Sequence, residues 1–263
     1  MPAGEKHDDL RDLWEQRARE KEDRCDSVLF QGFPAPLNAH VHNVHWGIIT
    51  KHLQPLLPTN ARVLDLGCGY GRIAALITRT RPDIEVYGVD FSLTYCSLCH
   101  KSTGVQVACA DMLALPFRNG VFDAVLAVTS LMYVPVEKRE ETTKKTLLLL
   151  KPEGVALFID PGEEYLNLAA LFRPSSRRGS TGGRGFRLNQ YLGLGTTAGF
   201  VILNHGGMPL FSLAVPLLYP ASRCPRVISR LLSAIGRIDE RLCRYSRFSI
   251  HRWMLVKRQT VPG

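Results

Sequence analysis

The chain has 263 residues, 45% of them hydrophobic and 22% charged, with a mean hydropathy of −0.03. A chain of this size buries roughly three quarters of its unfolded surface, so it needs no disulfide or metal staple. The formal charge of +9 and a pI near 9.4 favour anionic partners: nucleic acid, an acidic membrane surface or an anionic substrate.

Seven cysteines, an odd number, are scattered along the chain, and MPAGEKHDDLRDLWEQ at the N-terminus lacks an apolar leader core. The expectation is a cytoplasmic protein with reduced thiols. No run approaches the roughly 18 to 20 apolar residues of a membrane span. The nearest, residues 208–220, is interrupted by prolines; it could touch a membrane surface without crossing it.

In chain order, residues 5–24 read as a charged surface helix anchored by Leu10, Leu13 and Trp14. Residues 32–36 break the pattern, and 38–54 read as a second helix carrying His40, His42, His45 and Trp46. From residue 61, short apolar runs alternate with helical segments. Strands are expected at 61–66, 85–90, 105–109, 122–128 and 155–159. Helices are expected at 72–81, where Ile73, Leu76, Ile77 and Thr80 share one face, at 92–102 with Ser92 as N-cap, and in a segment ending near Leu150. Residues 151–154, Lys-Pro-Glu-Gly, read as a turn. Residues 173–186 are rich in Gly, Ser and Arg and read as a mobile loop. Phe200–Leu203 and Arg252–Lys257 read as two last strands, with a mixed helical segment between them. The alternation predicts an α/β fold, Rossmann-like and doubly wound, with a mostly parallel seven-stranded sheet. The division is an N-terminal helical cap (1–60), a core (61–172), the loop (173–186) and a C-terminal part (187–263) with a basic helical insertion before the last strand.

The chemistry centres on VLDLGCGYG, residues 63–71, between the first strand and its helix. Glycines there let the backbone turn sharply and a ligand lie against it, although a tight turn without a ligand would need the same residues. The spacing is G-x-G-x-G rather than the dinucleotide G-x-G-x-x-G, and Asp65 stands two residues before the first glycine. A carboxylate there would repel a pyrophosphate and suit an ammonium. Asp90 ends the second strand, where a carboxylate can accept from both hydroxyls of a ribose. An amino-acid end and an adenosine end together describe S-adenosylmethionine.

With these motifs, and with CADMLALPF (109–117), VFDAV (121–125) and LKPEGVALFID (150–160), the chain resembles the class I S-adenosylmethionine-dependent methyltransferases. The stretch DMLALPFRNGVFDAVLAV resembles the subgroup that includes ubiquinone and menaquinone biosynthesis C-methyltransferases. The resemblance implies cofactor contacts from Asp65, Gly67, Cys68, Gly69, Gly71, Asp90, Phe91, Ala110, Asp111, Met112 and Thr129. Asp65 would lie near the methionine ammonium, Asp90 would take the ribose hydroxyls, Phe91 would pack on the adenine, and Asp111 would accept from its amino group. S-adenosylhomocysteine is the implied product. It also implies methyl transfer to a small-molecule acceptor, lipophilic ones included, at an O, N or C nucleophile.

The stretch after the fourth strand, TSLMY (129–133), lacks the motifs of the commonest DNA methylation chemistries. His42, His45 and Tyr133 are candidates for a general base, with solvent-facing or capping histidines as the alternative; no residue set is put forward for a metal. The arginines from 223 to 252 interleave with apolar residues, as on an amphipathic helix. They leave open a solvated face, contact with an anionic membrane surface, or RNA contact; nucleic acid is disfavoured because no RNA-binding module accompanies the charge. An RNA methyltransferase and a non-catalytic cofactor-binding module stand as alternatives. CSLCH (96–100) has the pattern of a haem attachment site, but it falls on the helix after Asp90 and reads as packing.

Overall fold

The computed structural model describes residues 3–172, 183–196 and 200–259. Seven strands form one sheet: β1 (Arg62–Leu66), β2 (Glu85–Asp90), β3 (Gln106–Cys109), β4 (Phe122–Val128), β5 (Leu150–Pro161), β6 (Phe200–Gly207) and β7 (His251–Arg258). Their order is β3-β2-β1-β4-β5-β7-β6. The first five run parallel, and β7 lies antiparallel between β5 and β6. The expected mostly parallel α/β sheet is therefore present, with its one reversed strand inserted next to the edge.

Successive side chains of a strand point to opposite faces, so a strand covered on both sides reads as a continuous apolar run. In β1, β4, β5 and β7 the two sets separate cleanly. Val63, Leu126, Leu157 and Leu255 pack on one face beneath Ile49, Leu53, Ile73 and Ile77. Leu64, Val125, Phe158 and Val256 pack on the other, with Leu147, Tyr191 and Leu194. The helices that supply these layers are α3 (Ala35–Ile48, extended by a π-turn at Ile49–Leu53), α4 (Ala74–Thr80), α6 (Arg139–Leu148) and α8 (Leu188–Gly195).

Two expectations shift. Helix α4 starts at Ala74 rather than Arg72, because the glycine-rich turn runs on to residue 73. Residues 151–154 are not a free turn but belong to β5: the register jumps from Phe122↔Leu150 to Ala124↔Val155, so β5 carries three extra residues there, with Glu153 at φ +66°. This is a β-bulge. The Gly/Ser/Arg loop expected at 173–186 falls mostly outside the described residues.

The N-terminal segment comprises α1 (Ala3–Lys21), α2 (Cys25–Val28) and α3. The C-terminal segment forms the hairpin α9 (Pro209–Ala221) and α10 (Pro225–Leu242). They share a hydrophobic cluster in which Leu37 and Val41 of α3 meet Phe211, Val215, Ile228 and Leu232. Asp239 of α10 binds the first turn of α9, accepting from the N–H groups of Leu210 (2.7 Å) and Phe211 (2.9 Å). Those N–H groups would otherwise lack partners at a helix start. Helix α5 (Leu93–Thr103) begins at Ser92, whose hydroxyl accepts from the Tyr95 N–H as the expected N-cap. Helix α7 (Glu163–Phe172) follows β5. No helix among the described residues is long and apolar enough to cross a membrane.

Candidate functional site

In an open parallel sheet a crevice forms where neighbouring strands send their connections to opposite faces. Here that place lies between β1 and β4. A cleft of about 920 Å³, counting its open mouth, occupies it. The loops after β1, β2, β3 and β4 form its floor and walls, and Leu10 and Trp14 of α1 close over it.

The turn after β1 folds back on β2. The Gly67 and Cys68 N–H groups both donate to the Val89 carbonyl, at 2.7 and 2.9 Å. Gly67 has φ +78°, and a Cβ there would stand 2.5 Å from the Ser130 Cβ, so only glycine fits between the β1 and β4 ends. Gly69 donates its N–H to Asp90 Oδ2 at 2.9 Å, and Ser92 donates to Asp90 Oδ1 at 3.0 Å. These bonds fix the carboxylate at the lip of β2 while leaving each oxygen further acceptor capacity. Burial pushes the Asp90 pKa up to about 6, against the backbone donors that favour its charge.

Asp65 is fully enclosed in the end of β1, and its Oδ2 has no hydrogen-bond partner. Burial raises its pKa to about 7, partly opposed by the Arg72 guanidinium. A buried carboxylate oxygen without a partner costs free energy unless a ligand completes it. A cationic ligand group is the natural complement. On the opposite wall Asp111 accepts the Leu113 N–H at 2.9 Å, which holds the loop after β3. Phe91, Ala110, Met112 and Leu113 give that side an apolar lining.

Of the sequence-predicted residues, Asp65, Gly67, Cys68, Gly69, Asp90, Phe91, Ala110, Asp111, Met112 and Thr129 all line the cleft, and so does Tyr133. Gly71 does not. A Cβ at Gly71 would meet Cys99 Sγ and Thr103 Cγ2 at 2.9 Å, so this glycine lets the turn pack on α5. The same contact accounts for part of CSLCH: Cys99 packs beneath Gly71, and Cys96 donates to the Asp90 carbonyl at 3.3 Å. Burial pushes the Cys96 thiol up, away from the thiolate.

His42 and His45 do not line the cleft. Arg72 donates to His42 Nδ1 at 2.7 Å and to His45 Nδ1 at 3.4 Å. A guanidinium has no acceptor, so both rings must accept at Nδ1, which leaves the proton of neutral His45 on Nε2. His45 Nε2 lies 2.8 Å from His251 Nδ1 and donates to it, so neutral His251 carries its proton on Nε2. Burial, reinforced by Arg72, lowers His42 to about 4 and His251 to about 3, and puts His45 well below its ordinary value. Arg72 thus ties the floor of the cleft to a neutral histidine relay.

Several residues in or beside the cleft carry no sequence motif. Glu15 accepts from Ser92 Oγ at 2.6 Å, from the Thr94 N–H at 3.3 Å and from the Thr94 hydroxyl, which clamps α1 on the start of α5. Burial pushes the Glu15 pKa up, but these donors outweigh it and hold the carboxylate below its usual range. Trp14 stands edge-on to Tyr133, with ring centroids 5.2 Å apart. Thr129 sits at φ +58°, a costly conformation for a β-branched residue, with its N–H on the Ile159 carbonyl.

Residues 63–154 match a family model described as a methyltransferase domain. The chain is 31% identical over 137 residues to YqeM of Bacillus subtilis (strain 168), named a methyltransferase; the match covers 50% of this chain and 55% of YqeM. It is 29% identical over 133 residues to the mouse (Mus musculus) tRNA (carboxymethyluridine(34)-5-O)-methyltransferase ALKBH8, covering 45% of this chain and 19% of that protein. The chain therefore spans about half the length, or less, of these curated relatives. Among solved structures, geranyl diphosphate C-methyltransferase from Streptomyces coelicolor A3(2) superposes with a TM-score of 0.65 at 16% identity, covering 99% of this chain and 100% of that one. That likeness is one of fold. Over residues 63–154 the match is to a methyltransferase domain, where the motifs read from the sequence also fall.

Proposed function

We propose that the chain transfers a methyl group from S-adenosylmethionine to a small-molecule acceptor. The observation that carries this reading is the convergence of Asp65, the Gly67–Gly69 turn, Asp90 and Asp111 on one largely apolar cleft. The fit is chemical as well as spatial. The buried, partnerless Asp65 Oδ2 suits an ammonium, and Asp90 is anchored by backbone donors with capacity left for two hydroxyls. Phe91 and Met112 offer apolar walls to a flat base, with Asp111 beside them for an exocyclic amine.

When bound, the cofactor supplies a methyl group already activated by its sulfonium charge. The chain's own residues then have two tasks: to orient the acceptor and to exclude water. Helix α1, clamped by Glu15, serves the second by laying Leu10 and Trp14 over the opening. Tyr133 and Thr129 stand where the cleft leads towards β5 and have hydroxyls that can orient a nucleophile. Incubation with methyl-labelled cofactor and a small-molecule panel tests the reading. Label in the small-molecule fraction supports it. Label only in added RNA would favour the second reading, to which the tRNA-modifying relative lends weight.

We also propose a surface contact through α10. One side of this helix is buried by Ile228 and Leu232, while Val227, Leu231, Ile238 and Leu242 are exposed. Arg226, Arg230, Arg237 and Arg241 precede these four one by one, so a basic row borders an apolar stripe. That pairing suits an anionic lipid surface better than RNA, which offers nothing to the apolar stripe. Co-sedimentation with vesicles of phosphatidylglycerol and phosphatidylcholine, lost in Leu231→Glu, is the expected result. Equal recovery with phosphatidylcholine alone would contradict it.

A further inference from the structure

A second cavity, of about 430 Å³ counting its mouth, adjoins the first and shares Val28, Thr129 and Tyr133 with it. It runs between the N-terminal segment and the end of β5. Its walls are largely apolar: Leu29, Phe30, Met132, Pro161 and Leu166. Its described polar side chains include no carboxylate. Arg17 and His251 line it beside the Thr129 and Tyr133 hydroxyls, and none of the described lining residues is acidic.

Arg17 is 5% exposed and has no carboxylate within ion-pairing distance among the described residues. Its guanidinium donates to the Asp26 and Leu29 carbonyls at 2.7 and 2.8 Å and lies 4.8 Å from the Trp14 ring centroid. Its buried Nε has no partner at all. The nearby Asp26 carboxylate is taken by Lys21 and Arg24. An enclosed cation without a counter-ion is costly, and an anion entering the cavity would supply what is missing. The histidine relay adds a second complement, because it leaves the His251 proton on Nε2, a donor rather than an acceptor. Carboxylates and phosphates are the groups a guanidinium recognises best.

We propose that this second cavity is the acceptor subsite and that it takes an amphiphile with an apolar body and one acidic group, held by Arg17. The inference rests on the methyl-transfer reading above. The shared wall at Thr129 and Tyr133 places such a molecule beside the cofactor cleft, and the Leu29, Phe30, Met132 and Leu166 side chains receive its apolar part. Arg17 is a binding residue here and is given no part in the chemistry.

The test is calorimetric titration of the full chain saturated with S-adenosylhomocysteine, using octanoate as probe and octylamine as its cationic counterpart. Octanoate should bind and octylamine should not. Arg17→Met should weaken octanoate about tenfold or more and leave S-adenosylhomocysteine affinity within about threefold. Because Arg17 also holds two loop carbonyls, Leu166→Trp provides a variant that leaves the guanidinium untouched. By filling the apolar end it should block octanoate while sparing S-adenosylhomocysteine. Absence of octanoate binding, equal binding of octylamine, or octanoate affinity unchanged in both variants would overturn the subsite while leaving the cofactor reading standing. Failure of the wild-type chain to bind S-adenosylhomocysteine would overturn both.

Discussion

Gly67 and Ser130 interlock across the mouth of the sheet: a Cβ on the glycine would stand 2.5 Å from the serine Cβ, and the serine hydroxyl donates to the Leu66 carbonyl at 2.7 Å. This contact joins the β1 turn to the β4 turn and sets the width of the cleft between them. Gly67→Ala should therefore cost about 2–4 kcal/mol, combining the clash with a left-handed backbone. Adding Ser130→Gly should recover the steric part and leave roughly 1–2 kcal/mol of backbone cost. Urea unfolding of the two single variants and the double variant checks this; strict additivity would show that the two positions do not collide.

Asp65 gives the protein a pH signature. Its carboxyl pKa is raised from 3.8 to about 7, so in that window the folded state binds more protons than the unfolded state. Stability from this group is complete at low pH and is lost as pH rises through 7. Asp65→Asn should be more stable than wild type at pH 8 by roughly 1–4 kcal/mol, with the gap closing towards pH 4. Cofactor affinity should run the other way, rising up to about pH 7 as the carboxylate forms and meets an ammonium. The Asn variant should show neither trend.

His42 should be dispensable for chemistry. Its Nδ1 is taken by Arg72, burial brings its pKa to about 4, and its ring does not line the cleft. With the acceptor that the labelled-methyl screen identifies, His42→Gln should keep kcat within about threefold, whereas loss of a general base costs on the order of a hundredfold or more. A hundredfold fall, with cofactor affinity unchanged, would restore His42 as the base.

Asp239 holds the C-terminal hairpin together by accepting both N–H groups at the start of α9. Asp239→Ala should destabilise the protein by about 1–2 kcal/mol without altering S-adenosylhomocysteine affinity. A loss of affinity would mean that the hairpin shapes the cleft at a distance.

What could be read from the sequence was what is decided locally. The apolar runs of β1, β4 and β5 are buried on both faces, and the glycines and Asp90 sit on consecutive turns, so spacing alone placed them. Gly71 fell within the same motif, but its purpose is contact with Cys99 and Thr103, about thirty residues further on. The lid formed by Leu10 and Trp14, the relay from Arg72 through His45 to His251, and the isolated cation at Arg17 join segments far apart in the chain. No periodicity marks such contacts. The Thr129 backbone was hidden for another reason: nothing in a threonine's identity announces φ +58°, which its place at the β4 end imposes.

The most direct test of the methyltransferase reading is thermal unfolding of the full chain with and without S-adenosylmethionine, alongside Asp90→Ala. At about a thousandfold excess over Kd, the wild-type chain should gain roughly 4 kcal/mol of stability, and the variant should lose most of that gain. A wild-type Tm that does not move at saturating cofactor would contradict the assignment of the cleft.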